Sequence, residues 1–158
     1  RGSYPFTVVV EIDIDGERLV GQRTALLTGD AQGRANPALI ELTVDGAAVA
    51  PGTALTAGRA YQLSARADAG AADRVCADQD PAVTTLESMT VFAYVSAGAL
   101  SDESFRVVPR ADDSNALEAG TITWTAPASG AAELWLVARD DDGGTALLHQ
   151  TLPTGPGD

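Results

Sequence analysis

Thr121 to Gly144 reads TITWTAPASGAAELWLVARDDDGG, and this stretch decides the fold class. Ile122 and Trp124 alternate with Thr121, Thr123 and Thr125, the period-two pattern of a strand with one apolar face. Pro127 to Gly130 forms a turn. From Glu133 to Arg139 a second strand follows, with Leu134 and Leu136 on one face and Trp135 and Val137 on the other. Asp140 to Gly144 (DDDGG) is a tight acidic turn, because glycine reaches backbone angles closed to other residues. Thr145 to Leu152 is the return strand and the last one.

The same alternation extends towards the N-terminus, and no long helical period competes with it. Ser104 to Val108 reads as a short strand, followed by a polar loop from Pro109 to Gly120. Met89 to Val95 is apolar on both faces, as expected of a central strand covered on both sides. Ala69 to Pro81 is polar and alanine-rich, and reads as the longest loop, with room for a short helical turn. Tyr61, Leu63, Ala65 and Ala67 alternate with polar neighbours, as do Ile40, Leu42 and Val44. Asn36-Pro37 opens that strand and Asp45-Gly46 closes it. From Asn36 onward the spacing predicts an all-β, antiparallel sandwich of about seven strands over residues 36–153, with a flexible tail at 154–158. Residues 1–35 form an extra unit: a β-hairpin with Phe6, Val8, Val10, Ile12 and Ile14 on one face, then a turn-rich linker. It reads as the tail of a preceding module or as an extension of the sandwich edge.

Composition narrows the function classes. The 158 residues carry 22 acidic and 10 basic side chains, for a net charge of −12, and every basic one is arginine. Such an acidic chain is a poor match for nucleic acid, whose phosphates need a cationic surface, and for anionic lipid. It leaves room for a divalent cation or a protein partner. No stretch reaches the roughly 18–20 apolar residues of a membrane-spanning helix. Cys76 is the only cysteine, so the fold carries no internal disulfide; its thiol is a candidate for an intermolecular bond.

Three segments together resemble a known family. NPALIELTVDG (36–46), GRAYQLSARAD (58–68) and the 121–144 stretch are similar in order and spacing to PKD-type, cadherin-like bacterial immunoglobulin-like modules, and the ending to surface lipoproteins of myxobacteria-like organisms. The resemblance covers roughly residues 36 to 152. It implies an immunoglobulin-like sandwich and a periplasmic or cell-surface location. Membrane association would then come only through a lipid anchor or a partner subunit. One departure is VFAYVSAGAL (91–100), where many such modules place a tryptophan; Trp124 or Trp135 then serves as the core plug.

Candidate chemistry is sparse. His149 is the only histidine, and no Gly-x-Ser-x-Gly elbow accompanies it, so it reads as a half-exposed strand residue rather than a general base. Calcium is the candidate cation, since hard cations need several oxygens converging from loops. Asp68, Asp73, Asp140 and Asp142 are its candidate ligands, although the aspartates near Gly143-Gly144 also suit turn shaping. No other cofactor, no small-molecule substrate and no enzyme activity is expected. The reading that follows is a non-catalytic binding or spacer module of a bacterial envelope lipoprotein, working through loops or a strand edge against a protein partner. Its competitors are an accessory subunit docked on a larger envelope complex and a calcium-stabilised adhesion module.

Overall fold

The computed structural model describes residues 3–14, 17–28, 36–72, 74–77, 80–141 and 143–156. The chain divides into two compact units, Arg1–Arg34 and Ala35–Asp158. In the first, β1 (Ser3–Ile14) and β2 (Glu17–Thr28) pair antiparallel without a register shift, from Ser3 opposite Thr28 to Ile14 opposite Glu17. Glu11 and Arg18 form an ion pair on this hairpin, and Val8, Val9 and Val20 are exposed.

The described residues of the second unit are all-β apart from one 3-10 turn at Ala69–Ala71. Its strands are β3 (Leu39–Val44), β4 (Ala47–Ala48), β5 (Leu55–Thr56), β6 (Ala60–Ala67), β7 (Arg74–Ala77), β8 (Asp80–Leu86) and β9 (Met89–Val95). They continue with β10 (Ala99–Leu100), β11 (Ser104–Arg110), β12 (Asp113–Ala119), β13 (Ile122–Thr125), β14 (Gly130–Asp140) and β15 (Thr145–Gly155). One sheet has the order β10-β13-β6-β3-β4 and the other β12-β11-β9-β14-β15-β5; β7 and β8 form a separate hairpin. All pairings are antiparallel except the short contact between β15 and β5. No helix among the described residues is long and apolar enough to cross a membrane.

Inward side chains of both sheets share one core, a β-sandwich-like arrangement. Leu42, Leu63 and Trp124 enter it from the five-stranded sheet; Val91, Val107, Leu134 and Leu136 enter it from the six-stranded one. Burial follows the alternation residue by residue: along β14, Ala132, Leu134, Leu136 and Ala138 are buried and their neighbours are not. Trp124 is fully buried and donates from Nε1 to the Ala97 carbonyl at 3.1 Å. The ring leaves no room for a side chain at Gly98, where φ is +87° and an added Cβ would overlap the Trp124 Nε1 and the Thr125 carbonyl. Asp45 and Gly46 both have positive φ, the geometry of a two-residue hairpin turn, and Asp45 also accepts from the Gln62 amide at 2.9 Å.

Several expectations change. The seven stretches read as strands each hold one (β3, β6, β9, β11, β13, β14 and β15), but the described residues of the second unit contain thirteen. The segment 69–81 is not one long loop. It holds the 3-10 turn and the start of the β7–β8 hairpin, whose alternation is broken by a register shift at Cys76/Ala77. Within 109–120, β12 pairs with β11 across another shift at Pro109/Arg110, and Leu117 and Ala119 pack against the core. The last strand continues through Thr154 and Gly155, because β5 pairs with them there. Finally, β9 is covered on one face only, since Tyr94 is 54% exposed, and Trp135 is no core plug: it stands on the opposite side of β14 from Leu134 and Leu136.

Candidate functional site

The strands that bury one apolar face leave a second one outside. On β14, Glu133, Trp135, Val137 and Arg139 point away from the core. The registers arrange their neighbours in rows. Arg139 lies opposite Thr90 of β9, and Thr90 in turn opposite Arg106 of β11. Val137 lies between Phe92 and Leu147. Trp135 lies between Tyr94 and His149, and Glu133 lies opposite Thr151. Two apolar rows are thus bounded by an arginine row at one end and a carboxylate at the other. Leu147 is 63% exposed, and a cluster of large apolar groups left open to water marks a contact surface rather than chance exposure.

Polar contacts hold the side chains in place. The Trp135 and His149 rings stack 5.3 Å apart with planes 9° from parallel. His149 Nε2 lies 2.6 Å from Glu133 Oε2, and the Thr151 hydroxyl donates to the same carboxylate at 3.0 Å. The Arg139 guanidinium sits 5.5 Å from the Phe92 ring centroid, within cation–π range. A histidine, a carboxylate and a hydroxyl therefore meet here, but in an order unsuited to nucleophilic catalysis. A nucleophile must give its proton to the imidazole; here the hydroxyl bonds to the carboxylate.

The other candidate residues lie elsewhere. Asp68 and Asp140 both fall at the end of the second unit that holds Pro37 and Glu87. Asp68 precedes the 3-10 turn, and its carboxylate accepts from the Gly70 amide at 2.9 Å. Asp140 accepts from the Gly144 amide at 2.5 Å and shares a shallow depression with Ala71, Ala72 and Glu87. Glu87 is buried and accepts from the Asp141 amide at 3.1 Å. Sequence pattern gave no hint of this buried acid. Asp73 and Asp142 lie outside the described residues. Among the described residues no three histidine, cysteine or acidic side chains gather as a metal-binding group; one oxygen each of Asp68 and Asp140 caps a backbone amide. Cys76 pairs through its backbone with Thr84 in the β7–β8 hairpin, and its side chain is outside the described set.

A second concavity, a groove of about 730 Å³, runs between β15 and the β3–β4 region and is lined by Ile40, Val49, Leu148 and Gln150. Gln150 Nε2 donates across it to the Val49 carbonyl at 3.1 Å.

Sequence reading missed the outer face because Trp135 and Val137 are as apolar as Leu134 and Leu136. The available signal was that β9 and β14 are both apolar on two sides while the sequence contains no helical period to cover the second. No protein-family model matches the chain, and no curated protein matches it.

Proposed function

We propose that this chain is a non-catalytic, immunoglobulin-like recognition or spacer module of an exported bacterial envelope protein, and that it contacts a protein partner through the outer face of the six-stranded sheet. The PKD-type, cadherin-like assignment draws support from the strand order: β3, β6 and β13 neighbour one another in one sheet, and β11, β9, β14 and β15 in the other, the two-sheet exchange of an immunoglobulin-like sandwich. The envelope location and lipoprotein character rest on the resemblance. The observation that carries the contact surface is the pair of exposed rows headed by Tyr94 and Leu147. Such rows lower the free energy only when another surface covers them.

A photo-activated cross-linker at position 94, in cells making the natural precursor, tests this. A discrete protein adduct is expected there and not from position 62, which lies exposed on the outer side of the other sheet. Equal labelling from both positions, or none from either, would sink the reading.

A second reading has its own observation. Val8, Val9 and Val20 are exposed on the β1–β2 hairpin, and two strands alone are only marginally stable in water. An accessory subunit using this hairpin as its docking edge on a larger envelope complex would account for them. Partner loss on Val8→Lys, with no change on Tyr94→Ser, would favour that alternative.

A further inference from the structure

We propose that the outer face of the six-stranded sheet is self-complementary and that its occupant is the same face of a second copy, related by a two-fold axis lying in the interface across the strands. This inference rests on the proposed function and names its partner. It starts from the order of outward side chains along β14: Glu133, Trp135, Val137, Arg139. A two-fold contact uses one patch twice, so residue i must suit residue j and j must suit i.

Turning this row end for end sets Glu133 against the second copy's Arg139, twice, and brings the aromatic row over the aliphatic row. The neighbouring strands keep the same polarity. Arg106 joins Arg139 at one end through Thr90, while Thr151 and His149 lie beside Glu133 at the other. The alternative axis, along the strands, would lay the arginine row of one copy against the arginine row of the other and bring like charges together. Charge therefore selects the antiparallel arrangement.

The same pattern argues against other occupants. The chain's net charge of −12 would attract a basic partner, but these rows hold two arginines and one glutamate, so the acidic excess lies elsewhere. An acidic partner would satisfy only the arginine end. A second copy satisfies both ends and covers the apolar centre. The patch spans four strands about 4.8 Å apart and some seven residues at about 3.3 Å each, roughly 20 by 20 Å. That footprint falls in the small, transient class of interfaces, and overall repulsion between two acidic chains weakens it further.

Sedimentation velocity of the full chain from about 5 µM to about 1 mM covers the affinities such an interface can have. The expected result is a reversible monomer–dimer equilibrium at the upper end. Tyr94→Ser weakens it at least tenfold. Glu133→Arg alone and Arg139→Glu alone are each monomeric, because like charges then meet at both ends. An equimolar mixture of the two dimerises again, since the reversed charges now face each other. Melting curves show that each variant is folded, and the exposed Tyr94→Ser carries the test if a charge reversal unfolds the chain. A wild-type chain that is monomeric throughout overturns the proposal, as does a dimer indifferent to Tyr94→Ser or a folded mixture that stays monomeric. A cross-link from position 94 to a different protein, with the purified chain monomeric, would keep the recognition reading and remove this one.

Discussion

Replacing each tryptophan by phenylalanine separates the two faces of the six- and five-stranded sheets energetically. Trp124 is fully buried, and its Nε1 donates to the Ala97 carbonyl at 3.1 Å. Trp124→Phe keeps an aromatic ring in the core but removes that donor, for about 1 kcal/mol. It also removes roughly three heavy atoms from a site already close-packed, which adds about 1–2 kcal/mol through lost burial and residual cavity. The total is about 2–3 kcal/mol, and for a unit of this size each kcal/mol lowers Tm by about 4 °C. Trp124→Phe should therefore melt about 8–12 °C earlier. Trp135 stands on the outer face, stacked on His149, and trimming it there costs under about 1 kcal/mol, or less than about 4 °C. Differential scanning calorimetry of the two variants measures the contrast. Acrylamide quenching checks it independently: the tryptophan left in Trp124→Phe should be readily quenched, and the one left in Trp135→Phe shielded. If Trp135→Phe proves the more destabilising of the two, the assignment of inner and outer faces along β14 is wrong, and the contact surface built on it goes too.

Other outcomes follow from the same geometry. Gly98→Ala should lower Tm markedly, because a Cβ there overlaps the Trp124 ring and the Thr125 carbonyl at φ +87°, a strain of about 1–3 kcal/mol; an unchanged melting curve would contradict that packing. Asp140→Ala should cost about 1 kcal/mol through loss of the acceptor for the Gly144 amide at 2.5 Å, while Asp140→Asn, which keeps a carbonyl oxygen, should recover most of it in chemical denaturation. Since one oxygen each of Asp68 and Asp140 caps an amide and no three ligating side chains gather among the described residues, calcium in the millimolar range should leave Tm unaltered; a saturable rise would instead reveal a bound ion.

Alternation along the chain was enough to establish strands, most of their positions in the second unit and the grouping of side chains on each. Leu134 belongs with Leu136, and Trp135 with Val137, whatever the fold, because successive residues in a strand point to opposite sides. Turn chemistry at Asp45-Gly46 and at Asp140 to Gly144 was equally legible, since backbone angles there depend on local residues. Strands that meet their partners across register shifts, such as β7 at Cys76/Ala77 and β12 at Pro109/Arg110 of β11, escaped the pattern because a shift moves inward residues to the other face. Which side of β9 and β14 is buried was decided only by the tertiary structure. Two sheets packed about 10 Å apart enclose a limited volume. Tyr61 and Trp124 already fill part of it with rings 6.2 Å apart, and buried alanines at 93, 132 and 138 complete the layer. Burial therefore goes to the slimmer face of each strand, and the bulky row of Tyr94, Trp135 and His149 is left on the outside.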